Sequence, residues 1–259
     1  MVMRKFMVVI ALVALLLSVS APAQAQGTDH ATSSDHSADK YVSIYKAAIL
    51  KNALSMNKKA QGGHIGFGRS MEHQRYNPKY WDELYVNGRQ YWKVKAGIDE
   101  GQAIRDVFDP SGGYYKIDCA AAINLIVLKS KLDTIGDDKF NKHFYNLIVK
   151  GWELRTQPGG KEWKEDKSLE IQEGNEYSLG DSEELEVGDY VYYKNPNPFV
   201  QGRAEQGENA LYLGRDEEGN PTFWGLNIGI YRGEICKYGI LTSVRGSIDP
   251  QELKKMAES

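Results

Sequence analysis

The pattern of apolar and polar residues changes most sharply at Tyr114–Lys131, which reads YYKIDCAAAINLIVLKSK. Tyr114 to Ile117 is aromatic and extended in character. Asp118 then stands at a helix N-cap position, and Cys119 opens an apolar run in which Asn124 is the sole polar residue before Lys129. A helix that is apolar on every side is a buried one, so the pattern predicts a core helix beginning at Cys119. Unpaired backbone N–H groups and the positive end of the helix dipole gather at such a start. Both favour a thiolate, the nucleophilic form of cysteine, and the same N–H groups suit an oxyanion.

Around this element the patterning predicts helices first and strands later. Tyr41, Ile44, Tyr45, Ala48 and Ile49 recur at helical spacing within Lys40–Met56. Gln61–Gly68 is glycine-rich and reads as a loop, without the Walker pattern of a phosphate cradle. Two aromatic runs in Tyr80–Val94 flank Asn87-Gly88, a strong hairpin signal. Gly101–Phe108 reads as a short helix stopped by Asp109-Pro110, and Ser111–Gly113 as a turn. Asp137–Val149 predicts a second amphipathic helix, with Phe140, Phe144, Leu147 and Ile148 on one face and His143 off it. Lys161–Glu186 is an acidic excursion, followed by a turn at Val187-Gly188-Asp189 and a strand at Tyr190–Lys194. Asn195–Ala204 reads as a loop; Glu208–Gly214, Thr222–Tyr231 and Ile235–Val244 read as strands, with a helix from Asp249. This order predicts an α+β fold, with the cysteine on a core helix ahead of an antiparallel β-sheet.

The N-terminal stretch has a different character. Arg4 and Lys5 precede the apolar Phe6–Val19, and Ala23-Gln24-Ala25 has the small-x-small form of a cleavage site. Residues 1–25 are therefore expected to be a signal peptide. The expected arrangement after it is a flexible linker at 26–39 and a single catalytic domain at 40–259. The apolar run is short for a membrane span, so the expectation is export without stable membrane insertion after cleavage near Ala25. His30 and His36 each follow an Asp, but in so polar a stretch they read as parts of a solvated tail rather than metal ligands.

Charge and cysteine content narrow the chemistry. The chain of 259 residues has 32 Lys plus Arg against 35 Asp plus Glu, so nothing suggests a nucleic-acid partner. Cys119 and Cys236 are its two cysteines. Export leaves open a bridge between them, closing a loop on the order of 100 residues and worth up to ~4–5 kcal/mol. A papain-type site needs a histidine on a strand after the cysteine helix. His143 is the one histidine after Cys119, and it falls on a predicted helix. Either something other than imidazole then handles the proton, or the site does no chemistry.

With these blocks in view, YYKIDCAAAINLIVLKS, LDTIGDDKFNKHFYNLIVKGWEL, LEVGDYVYYKNP, QGENALYLG and GLNIGIY together resemble the bacterial spore-type protein-glutamine gamma-glutamyltransferases in order and approximate spacing. The resemblance runs from Tyr80 to Tyr231 and is most specific at the acidic-Cys-Ala block and at Q-G-E-N. It implies a core similar to the papain-like and NlpC/P60 cysteine enzymes. It also implies cross-linking of protein glutamine to lysine without a metal or other cofactor. On the same ground Cys119 is the nucleophile, Glu208 the acid–base carboxylate, and Asp118 the acidic residue beside the nucleophile. Asp118 also reads as a plain helix cap, and Glu208, taken alone, as a strand-edge carboxylate in solvent. The chain departs from the family in having Asp118 for a glutamate, Glu205 for a tryptophan before Q-G-E-N, and Leu226-Asn227 where a histidine is expected. Two other readings stay open: a cysteine amidase or peptidase with water as acceptor, and a secreted binding protein with a Cys119–Cys236 disulfide.

Overall fold

The computed structural model describes residues 35–68, 74–86, 89–110, 113–149, 154–155, 185–195, 197, 199, 207–232, 240–245 and 249–259. Along them run α1 (Asp35–Gln61), β1 (Ile65–Phe67), β2 (Trp81–Val86), β3 (Arg89–Val94), α2 (Glu100–Phe108), β4 (Tyr115–Ile117), α3 (Cys119–Ile135), α4 (Asp137–His143), β5 (Ile148–Val149) and β6 (Leu154–Arg155). They continue with β7 (Tyr190–Lys194), β8 (Gly207–Arg215), β9 (Pro221–Gly225), β10 (Gly229–Arg232), β11 (Ile240–Arg245) and α5 (Pro250–Glu258).

The apolar run at Cys119 forms α3, and its all-round apolarity is used. Ala121, Ala122, Ile123, Leu125, Ile126 and Leu128 are fully buried. Asp118 caps its start, accepting a hydrogen bond from the Ala121 amide, and Gly136, at a φ of +81°, ends it in a conformation that a side chain would resist. Against one side lies α1, whose Tyr45, Ile49, Ala53 and Met56 are buried at helical spacing. A polar staple crosses that interface, with Asn52 Nδ2 donating to Ser130 Oγ at 3.0 Å and to Asp133 Oδ2 at 3.1 Å.

On another side α3 packs against β8, the middle strand of an antiparallel sheet ordered β10-β9-β8-β7-β11. Leu211 and Trp224, paired across β8 and β9, join the helical core, whereas Ala210, Tyr212, Val191, Tyr193 and Phe223 form a separate cluster. The period-two alternation of a strand accounts for that division. A second sheet, β2-β3-β5-β6, pairs in antiparallel fashion the two strands that flank Asn87-Gly88, themselves outside the described residues, and β1 pairs in parallel with β4.

Several sequence expectations need correction. α1 begins at Asp35, inside the stretch expected to be linker, because the buried face of the helix reaches back to Ala38. Ile65–Phe67 is a strand, so the glycine-rich segment is not all loop: Ile65 is buried and pairs with Tyr115. The helix expected to run to Val149 stops at His143. Asn146 takes a φ of +58° and its amide donates to Glu100 Oε1 at 2.9 Å, after which Ile148 and Val149 pair with β3. Those apolar residues at helical spacing are therefore buried by two kinds of element. Thr222–Tyr231 is a hairpin rather than one strand, turning at Leu226–Ile228 with Gly225 paired to Gly229. Residues 1–25 and most of the stretches 161–186 and 195–204 lie outside the described residues. Among the described residues no helix is long and apolar enough to cross a membrane.

Because α3 is enclosed on all sides, truncating it leaves a cavity that its neighbours cannot close. Leu125→Ala is expected to lower unfolding stability by about 2–5 kcal/mol. Equilibrium denaturation of the two proteins measures this, as a lower midpoint at unchanged slope.

Candidate active site

The site begins with β4, which is held from both sides. β1 pairs with it in parallel, and Arg75 bridges to Lys116 in the antiparallel sense. That bridge brings the neighbouring Gln74 to the end of β4, where its Nε2 donates to Asp118 Oδ2 at 2.6 Å. The other carboxylate oxygen, Oδ1, accepts from the Ala121 amide at 2.7 Å. Asp118 is buried, and both of its oxygens serve local structure. The Ala122 amide donates to the Asp118 carbonyl at 3.0 Å. Cys119 and Ala120 are the first two residues of the helix, where backbone amides have no partner within it.

Cys119 carries a free thiol and keeps partial exposure. Cys236 lies outside the described residues, and no bridge occupies the Cys119 sulfur. Asn209 Nδ2 on β8 donates to that sulfur at 3.0 Å. Burial pushes the thiol up to about 12, helped by the negative charges of Glu208 and Asp118, while the Asn209 hydrogen bond acts the other way. This corrects the expectation that the helix start favours the thiolate. A helix dipole is worth up to ~2 kcal/mol in a partly buried setting, less than desolvating an anion beside two carboxylates costs.

Glu208 is also buried, at 8 % exposure, and its strand is the centre of the sheet. The solvated strand-edge reading is therefore wrong for it. Asn227 Nδ2 donates to Glu208 Oε2 at 2.9 Å, and the Asn227 amide lies 3.5 Å from Oε1. Burial raises the carboxyl above its usual range, and the Asn227 contacts only partly offset this. Gly225 makes the room: a Cβ there would come within 2.7 Å of Glu208 Oε1. Glu208 and Asn209 are consecutive on β8 and reach the sulfur differently. Asn209 makes the hydrogen bond to sulfur, and Glu208 acts on it through charge.

Tyr192, opposite Asn209 on β7, completes the surroundings. Its hydroxyl lies over Gly207, where a Cβ would be 2.3 Å away. Burial raises its phenol, as do the charges of Cys119 and Glu208. On the same strand Tyr190 donates its hydroxyl to Asn209 Oδ1 in a short hydrogen bond. Of the histidine side chains among the described residues, that of His64 is exposed beside β1, and His143 Nε2 contacts Ser259 Oγ at 2.6 Å. Among the described residues no group of three or more His, Cys, Asp or Glu is placed to hold a metal ion.

Cys119, Asp118 and Glu208, the residues singled out by sequence, thus fall in one place. Asn209 was visible within Q-G-E-N and Asn227 as a departure from the family, but neither role could be read from the chain. Gln74 carried no signal, since it arrives through the Arg75–Lys116 bridge. Glu205 lies outside the described residues.

This α+β protein thus holds a free thiol at the head of a capped, buried helix, with a buried carboxylate in its field. The profile of the protein-glutamine gamma-glutamyltransferase family matches residues 43–237, and the chain belongs to that family. It is 27 % identical over 185 residues to the protein of that name from Bacillus pumilus SAFR-032, covering 71 % of this chain and 62 % of the relative. To that of Bacillus subtilis 168 it is 30 % identical over 158 residues, covering 61 % and 54 %. The chain thus spans between half and two thirds of the length of these curated relatives. In three dimensions it is similar to the transglutaminase of Geobacillus stearothermophilus without its C-terminal extension, with a TM-score of 0.62 and 21 % identity. That likeness covers 86 % of this chain and 98 % of the other, and the fold is shared.

The electrostatics give a pH-dependent outcome. Alkylation of Cys119 by iodoacetamide should be slow at pH 7 and rise about tenfold per pH unit up to at least pH 10, because the thiolate is the reactive form. Glu208→Gln removes a negative charge from the surroundings and should speed alkylation at a fixed pH. A rate already at its plateau by pH 8 would contradict the raised thiol.

Proposed function

We propose that this protein is an exported protein-glutamine gamma-glutamyltransferase, with Cys119 as nucleophile and Glu208 as acid–base group. The observation that carries this reading is a free thiol sharing one desolvated site with a carboxylate of raised proton affinity. With both groups raised, transfer of the thiol proton to Glu208 exchanges one buried anion for another. Asn227 occupies part of the Glu208 carboxylate and leaves lone pairs on it that can take that proton.

The reaction follows in two halves. Cys119 loses its proton to Glu208 and the sulfur attacks the carboxamide carbon of a glutamine side chain. The amides of Cys119 and Ala120 receive the oxyanion. Glu208 returns the proton to the departing nitrogen, ammonia leaves, and a γ-glutamyl thioester remains on Cys119. A lysine ammonium then gives a proton to the Glu208 carboxylate, and the neutral amine attacks the thioester carbon. The proton held by Glu208 passes to the departing sulfur and the attacking nitrogen sheds its second proton to water, leaving an isopeptide bond, the starting thiol and the Glu208 carboxylate. Asp118, with both oxygens engaged by Gln74 and Ala121, holds the helix start rather than shuttling protons.

The same reading places protein substrates with accessible Gln and Lys outside the cytoplasm, reached through a signal peptide at 1–25. It takes Ser34–Ser259 as a single catalytic domain with a papain-like, NlpC/P60-like core. The supports are the charged-then-apolar pattern of Arg4–Val19 and the compactness of Ser34–Ser259.

The test is incorporation of a fluorescent primary amine into casein, with ammonia release followed in parallel. Cys119→Ala should abolish both signals, and Glu208→Gln should lower turnover about 10²–10⁴-fold. Asp118→Asn should fold and lose less, and His143→Ala should keep most activity. Ammonia without amine incorporation would mean an amidase using water as acceptor. An inactive His143→Ala beside a near-normal Glu208→Gln would overturn the carboxylate assignment.

A further inference from the structure

Asn209 is almost wholly buried, at 1 % exposure, so both ends of its amide depend on protein partners. Nδ2 meets Cys119 Sγ, and Oδ1 meets the Tyr190 hydroxyl. The β7–β8 register explains the second contact. Tyr192 stands opposite Asn209 and Tyr190 opposite Leu211, which makes Tyr190 the diagonal neighbour of Asn209, within reach of an aromatic side chain.

An asparagine amide can sit in two ways that differ only by a flip. With Oδ1 on the tyrosine, the sulfur faces an N–H donor. Flipped, the amide would give its N–H to the tyrosine oxygen and turn Oδ1 to the sulfur. The flipped form accommodates a protonated thiol as donor, but sets a carbonyl dipole against a thiolate. The charges of Glu208 on β8 and of the Asp118 carboxylate beside the sulfur oppose a negative charge there, whereas the Asn209 side-chain amide and the Asn209 main-chain N–H favour it; the raised Tyr192 phenol on β7 is neutral. The orientation of one amide therefore bears on how readily Cys119 becomes reactive.

We propose that Tyr190 is a positioning residue for the nucleophile: its hydroxyl holds the Asn209 amide with Nδ2 towards Cys119, presenting the sulfur with a donor fitted to the thiolate. The proposal rests on Cys119 being the nucleophile, and deepens that reading by assigning residues on β7 and β8 to its activation.

The measurement is the pH–rate profile of iodoacetamide alkylation at Cys119, from pH 7 to 10.5, beside steady-state amine incorporation. Tyr190→Phe keeps the ring and removes the hydroxyl. It should slow alkylation at pH 9 about threefold to tenfold and lower kcat by a similar factor, with KM for the glutamine donor little changed. Asn209→Asp keeps the shape and places an acceptor at the sulfur, so alkylation should fall roughly 10²-fold. A purely structural role for Tyr190 would lower thermal stability and leave the alkylation profile on that of the wild type, and this result overturns the proposal even if Asn209→Asp does not fold. Alkylation needs no acyl donor, so the two readings separate. A slowed profile in a chain that incorporates no amine would support the positioning role and count against the transglutaminase reaction.

Discussion

The start of α3 meets the start of β8 at a polar contact, the Asn209 amide on the Cys119 sulfur, and the site is assembled around it. The two residues are far apart in sequence. They meet because α3 is apolar all round and must be enclosed, while β8 is the central strand of the sheet that covers it. Placing β8 there also brings Glu208, one residue earlier, into the field of the sulfur. The hydrophobic demand of one helix thus brings the thiol and the carboxylate together.

That enclosure has an electrostatic consequence. Desolvation raises Cys119 and Glu208 together, and neither is relieved by a nearby cation among the described residues. A histidine-based site separates charge on ionising, forming thiolate and imidazolium from two neutral groups. Here the thiol–carboxylate pair bears one negative charge before and after proton transfer, so burial opposes the transfer less. Gly225 and Gly207 keep space beside the carboxylate and beneath the Tyr192 hydroxyl, and side chains at these positions would close it. Asn227, standing where the family resemblance implies a histidine, gives Glu208 neutral hydrogen bonds without a formal charge.

The chain disclosed the parts of this architecture that depend on local pattern. The apolar run after Asp118, the Asn87-Gly88 hairpin, the turn at Gly188 and the cap at Asp249 are each written in neighbouring residues. Elements decided by distant partners were misread. Ile65–Phe67 is a strand because β4 lies beside it, and Leu147–Val149 left its helical pattern to join β3. The site divides the same way. Cys119 and Asp118 were legible from the helix start, and Glu208 through the Q-G-E-N resemblance. The raised thiol was not, because helix direction is readable from sequence whereas the carboxylates and burial that outweigh it come from the fold. Gln74, Asn227 and Tyr190 act through tertiary contacts that no local pattern announces.

The central claim is that Cys119 takes up an acyl group from a glutamine side chain. The most direct measurement is intact-protein and peptide mass spectrometry of the protein, mixed with a glutamine-containing peptide in the absence of amine and quenched in acid. The account predicts a mass increase equal to the donor peptide less ammonia, located on the Cys119 peptide and absent from Cys119→Ala. An unmodified Cys119 in protein that still releases ammonia from the donor, or an adduct mapping to another residue, would contradict it.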